Sequence, residues 1–166
     1  MGVIHFALAT LLAAGLMSAP DLRDGRHDFD FEIGSWTIAP SGYGHVVRKL
    51  WDGATIAQLV IQKPAPHVRG SLLSLYNPSS REWNVYWADA NDGTLSPPLA
   101  GSFHDGIGTF IGHDTVDGRP VLIRLVYSHV TQRSFQTVQT VSHDNGRTWT
   151  ARTTRLFTRI GSARPS

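Results

Sequence analysis

The feature that most constrains this chain is its punctuation. Asp52-Gly53, Asp92-Gly93, Asp105-Gly106, Asp117-Gly118 and Asn145-Gly146 recur along it. Both residues of such dipeptides tolerate positive φ, which tight turns between antiparallel strands require. Asn77-Pro78-Ser79-Ser80 adds another turn. Between these signals lie short β-rich runs, predicting strands near 35–39, 45–51, 54–62, 70–76, 82–89, 100–104, 107–113, 120–129, 133–143 and 147–159. Only one helical turn is expected, around 28–33. Many short strands at near-even spacing read as a barrel or a sandwich, and consecutive hairpins favour up-and-down connection. The expectation is an all-β, antiparallel up-and-down barrel of about 8–10 strands spanning 29–160, with a β-sandwich as the other fold.

A chain of 166 residues supports one domain with a real core. Apolar residues make up 41% and the net charge is only +2. The cations are scattered and form no basic run, so no nucleic-acid partner is expected. The absence of cysteine removes disulfides, thiolate nucleophiles and cysteine-ligated metals. Residues 1–19 are uncharged and mostly apolar, with small residues Ser18 and Ala19 before Pro20. They are read as a signal peptide, implying a periplasmic or secreted protein with no membrane span after cleavage. Residues 20–28 are read as a leader and 161–166 as a disordered tail.

Several motifs invite chemistry. Gly34-Ser35-Trp36 opens the first strand and resembles the start of lipocalins and other calycins, in which an Arg on the last strand packs across this Trp. Arg155 and Arg159 are the candidates here, and Gly34, Trp36, Arg155 and Arg159 form the expected structural set. Ser142-His143-Asp144-Asn145-Gly146-Arg147-Thr148-Trp149 resembles an Asp-box, but the chain is far too short for a sialidase propeller. It is expected to be a stable hairpin turn. The dipeptides His27-Asp28, His104-Asp105, His113-Asp114 and His143-Asp144 do not form dyads by themselves, because adjacent strand residues face opposite ways. No His spacing suits a metal, and neither a metal nor a cofactor is expected.

The stretch 27–36, His-Asp-Phe-Asp-Phe-x-x-Gly-x-Trp, is similar to the opening of a family of exported bacterial proteins of unknown function. Val46-Val47-Arg48-Lys49-Leu50-Trp51, Leu75-Tyr76-Asn77-Pro78 with Trp83, Asp92-Gly93-Thr94-Leu95, Gly118-Arg119 and the 142–149 hairpin extend the likeness. It implies a calycin-like barrel and no particular activity. Relative to that family the 39–44 connection is short. A missing strand there would leave an exposed edge, which a homodimer or a wide pocket mouth would manage.

Strand alternation places Phe135, Thr137, Gln139 and Val141 on one inward face, Val121, Ile123, Leu125, Tyr127 and His129 on a second, and Trp83, Val85 and Trp87 on a third. The expected function is binding of a small apolar or aromatic molecule in an aromatic-lined cavity. Its residues would be Gln139, Tyr127, His129, Arg48, Trp83, Trp87 and Phe135. The alternative is a cofactor-free isomerase, cyclase or lyase, with His129 or Tyr127 transferring a proton and Gln139 orienting a substrate oxygen. A cavity with only neutral polar groups reads as a carrier, and a buried ionisable pair within hydrogen-bond reach reads as an enzyme.

Overall fold

In a computed structural model describing residues 24–61, 67–116 and 118–160, ten strands follow a short 3₁₀ turn, Asp30–Glu32. They are β1 (Gly34–Ala39), β2 (Tyr43–Trp51), β3 (Ala54–Ile61), β4 (His67–Asn77), β5 (Glu82–Asp89), β6 (Leu99–His104), β7 (Ile107–Val116), β8 (Arg119–Ser128), β9 (Ser134–Ser142) and β10 (Thr150–Arg159). Each pairs antiparallel with its sequence neighbour, and β1 also pairs with β10, so the sheet closes into an up-and-down barrel. The architecture is consistent with a calycin-like fold. The signal-peptide expectation for 1–19 and the tail at 161–166 fall outside the described residues. No helix among the described residues is long and apolar enough to cross a membrane.

The turn dipeptides act as their chemistry dictates. Asp105 and Gly106 both take positive φ, 50° and 77°, and reverse the chain between β6 and β7. Asp92-Gly93 instead shapes the longer β5–β6 connection, where the Asp89 amide donates to the Thr94 carbonyl at 3.0 Å. The short 39–44 connection removes no strand. It is a compact turn in which the Gly42 amide reaches the Ile38 carbonyl, and β1 keeps a partner on both sides. The exposed edge expected from its brevity therefore does not arise.

The Asp-box-like segment is a self-contained turn. Ser142 Oγ donates to Asp144 Oδ1 at 2.8 Å and accepts from the Gly146 amide at 2.8 Å. Asp144 also accepts from the Thr148 amide at 2.8 Å and hydroxyl at 2.6 Å. These donors favour the ionised form and hold the carboxyl down to about 2. The Trp149 indole donates to the Gly146 carbonyl, and Arg124 lies over its ring at 4.3 Å. The turn consumes residues 143–149, which is why β10 begins at Thr150 rather than 147.

One end of the barrel is plugged. The segment 24–28, expected as a leader, packs across this end. The Trp83 indole donates to the Gly25 carbonyl at 2.9 Å, and the Gly25 amide donates to the Tyr76 hydroxyl at 3.2 Å. Phe29 follows into the interior, edge-on to Trp83, Phe103 and Tyr127 and stacked on Phe110. Such aromatic contacts add stabilisation beyond the area they bury. Arg159 closes the seam. Its guanidinium lies 4.0 Å from the Trp36 ring centroid and donates to the carbonyls of Phe31, Ile33 and Gln132 at 2.7–2.8 Å. Gly34 has φ +131°, and a side chain there would meet the Arg159 guanidinium. The Gly-x-Trp spacing thus has a mechanical reason: the glycine makes room for the cation that the tryptophan receives.

Candidate functional site

The other half of the barrel is open. Above the aromatic plug lies a cavity of about 470 Å³. Its apolar lining is Ile38, Ala57, Leu59, Leu72, Val85, Leu99, Ile123 and Leu125, joined by Tyr43, Trp87, Tyr127 and Phe157. Around the mouth stand Asp89, Arg69, His113, Asp114 and Arg152. Arg69 is ion-paired to Asp89 at 2.6 Å, and the Trp87 indole donates to the same carboxylate at 3.2 Å. The Asn91 amide, which donates to the same carboxylate at 2.8 Å, is the largest cause that holds Asp89 below its ordinary value, and Trp87 and Arg69 add to it.

Strand register builds the polar part of the floor. Tyr127 on β8 pairs with Thr137 on β9, and Thr137 pairs with Arg155 on β10. All three line the cavity. One row further towards the mouth, Leu125, Gln139 and Thr153 follow the same register. From β2, His45 reaches the cavity beside Phe157, ring centroids 5.0 Å apart. Beneath Tyr127 sits Glu32, at the end of the 3₁₀ turn and only 3% exposed. It interacts with Tyr127, while its Oε1 has no hydrogen-bond partner among the described residues.

Burial sets the protonation of this group. Desolvation pushes the Glu32 carboxyl up to about 8, so it is neutral at pH 7. Desolvation pushes His45 down to about 4, aided by the nearby Arg155 cation, so the imidazole is neutral as well. Tyr127 is raised well above its ordinary value by burial and by Glu32. Burial lowers the Arg155 guanidinium from its ordinary value, but an arginine remains charged under all ordinary conditions. At neutral pH the floor therefore carries one charge, the Arg155 guanidinium, among neutral polar groups.

The structure divides the residues expected at the site. Gln139, Tyr127 and Trp87 line the cavity. Trp83 and Phe135 also face inward, but both are fully buried in the plug, Phe135 stacked on Phe157 with centroids 4.2 Å apart. The aromatic richness thus belongs to the closed end more than to the cavity wall. His129 lies outside β8, exposed, with φ 54° and its Nδ1 3.0 Å from Ser128 Oγ. The inward alternation stops at Tyr127 because the chain reverses through 129–133. Arg48 is exposed, because His45 and Val47 are the inward residues of β2. Arg155, expected as a closing residue, faces the cavity, and Arg159 alone covers Trp36.

Sequence reasoning passed over His45 and Glu32. In Val46-Val47-Arg48 both parities offer an apolar residue, so alternation did not fix the inward face of β2. Glu32 sits in the helical turn, outside any strand pattern. Two of the His-Asp dipeptides, His27-Asp28 and His104-Asp105, do meet at the plugged end, around a shallow depression with Phe31 and Val130. Among the described residues no group of three or more acidic or imidazole side chains is placed to hold a metal. No family model matches the chain, and comparison with curated proteins finds no match either.

Proposed function

We propose that this chain is a small-molecule-binding barrel whose ligand is mostly apolar and enters the open half. The observation that carries this reading is a 470 Å³ cavity with apolar walls and a scatter of polar groups, beneath which an aromatic plug fills the barrel. A volume in the range of roughly 300–1,000 Å³ suits a drug-sized ligand, and a mostly apolar lining with few polar groups is the usual composition of such sites. The uncharged, apolar segment 1–19 supports an exported, periplasmic or secreted, location.

The test is binding of the neutral fluorophore N-phenyl-1-naphthylamine. Ala57 is 3% exposed on the cavity wall, and Ala57→Phe projects a ring into the space. The wild type is expected to bind the fluorophore with enhanced emission, and A57F to bind it at least roughly tenfold more weakly with its fold retained. Equal binding by both proteins would place the fluorophore elsewhere and defeat the reading.

One observation favours an acid–base enzyme as a second reading: Glu32 and Tyr127 are both buried and interact with each other. Only the phenol reaches the cavity, however, and both groups are held neutral at pH 7, so this pair presents no ionised base to a substrate. Tyr127→Phe separates the two readings. A carrier keeps ligand affinity within a few-fold, whereas an enzyme that uses the phenol loses about a hundredfold or more in turnover while still binding.

A further inference from the structure

Arg155 is the anomaly of the cavity. β10 alternates Thr153, Arg155, Phe157 and Arg159 inward, and the last of these is fully engaged by three carbonyls and an indole. Arg155 has no hydrogen bond or ion pair with any described residue. The acids at the mouth are committed elsewhere: Asp89 to Arg69 and Asp114 to the Thr115 amide at 2.7 Å. The guanidinium is half-buried among apolar walls, with only neutral groups beside it: the Tyr127 phenol, Thr137, and His45. His45 is 3% exposed, and its Nε2 is buried without a partner on the same cavity. Two polar side chains on the strands that flank β1, Arg155 on β10 and His45 on β2, thus lack what each needs, one an anion and the other a hydrogen-bonding atom.

A desolvated, unpaired cation is costly to keep, and a protein that gains nothing from it would do better with an apolar residue of similar volume. A bound anion meets both needs. A carboxylate offers two oxygens in the plane that a guanidinium fork matches. The surrounding aliphatic wall, from Leu72 to Leu125, calls for a hydrocarbon body. We propose that the cavity selects small apolar molecules bearing one carboxylate, which pairs with Arg155 at the floor and accepts a further hydrogen bond from the Nε2–H tautomer of His45. This rests on the cavity being a binding site and adds the ligand's charge.

Displacement of N-phenyl-1-naphthylamine by decanoate and by decanol tests it, since the two competitors differ only in the head group. The wild type is expected to bind decanoate roughly tenfold or more tightly than decanol, the size of a charge-assisted hydrogen-bonded pair. Arg155→Gln is expected to abolish that preference, read as the ratio of decanoate to decanol affinity within the variant, so that any change common to both competitors cancels. Arg155→Lys is expected to keep part of the preference. A wild type that does not distinguish acid from alcohol overturns the assignment without need of any variant, and so does an R155Q protein that still prefers the acid. Fluorophore binding without acid preference defeats this inference alone, whereas failure of all three probes to bind defeats the binding reading with it.

Discussion

Replacing Arg159 by alanine is expected to lower the stability of the barrel by about 3–4 kcal/mol, measured by equilibrium urea unfolding. The guanidinium joins the first strand, the last strand and the 3₁₀ plug at one point. It donates to the carbonyls of Phe31 and Ile33 from the plug side and of Gln132 from the β8–β9 turn. A hydrogen bond from a charged donor is worth roughly 1.5–3 kcal/mol, and the stack on a buried indole adds about 1–2. Water reaches the exposed Gln132 side and replaces part of this, which keeps the total below the sum. Lysine at 159 is expected to recover little, because one ammonium cannot span three carbonyls and does not stack as a planar cation does. Trp36→Phe and Arg159→Ala together should cost less than the two separately, since each removes the same contact. A loss below about 1 kcal/mol for R159A, with additive behaviour in the pair, would show that the seam closes without it. Arg155→Ala offers the contrast, because that side chain faces the cavity and takes no part in closure.

The separate fates of these two arginines show how far the sequence was legible. Their presence on the last strand followed from the residues alone, but both have the same parity, so alternation placed both inward and did not say which met Trp36. That choice is made by register, which pairs Trp36 with Arg159 and sets Arg155 four residues nearer the mouth. Architecture was readable because Asp-Gly and Asn-Gly turns act locally, through positive φ. The wall residues of β8 and β9 were readable too, since Val121 to Tyr127 alternate cleanly, Phe135 and Thr137 do likewise, and Gln139 lines the cavity. Reading failed where a strand ended unannounced, as at His129, or where depth along the barrel mattered. Trp83 and Trp87 share a face, yet one is entombed under Gly25 and the other lines the cavity. Depth depends on the 24–33 segment folding back across one end, and nothing in strand periodicity encodes that. The Glu32–Tyr127 contact arises from the same fold-back.

The stability of the folded chain is expected to fall by about 2 kcal/mol between pH 6.5 and pH 8, and Glu32→Gln is expected to remove that fall. In the unfolded chain Glu32 ionises near its ordinary 4.5, whereas in the folded barrel it holds its proton up to about 8. Below pH 4.5 both states are protonated and the residue costs nothing. From 4.5 to 8 the unfolded state has released a proton that the folded state retains, so rising pH favours unfolding; above 8 the deficit stays constant. His45 acts in the opposite sense lower down. Its ordinary value is 6.5 and its folded value about 4, so between these limits the unfolded state holds the extra proton and stability rises with pH. From 4.5 to 6.5 the two slopes oppose each other and nearly cancel, giving a plateau. Only above 6.5 does Glu32 act unopposed, over about 1.5 pH units at about 1.4 kcal/mol each. Asp144, held near 2, contributes below this range, and Lys49, raised above 10.5, contributes beyond it. His45→Gln should expose the hidden part of the Glu32 slope, so that stability declines steadily from pH 4.5 instead of from 6.5. Urea midpoints measured every half pH unit on the wild type, E32Q and H45Q check this. A wild-type profile flat to pH 8, or an E32Q profile as steep as the wild type, would mean that Glu32 ionises freely and is not the neutral acid beneath Tyr127.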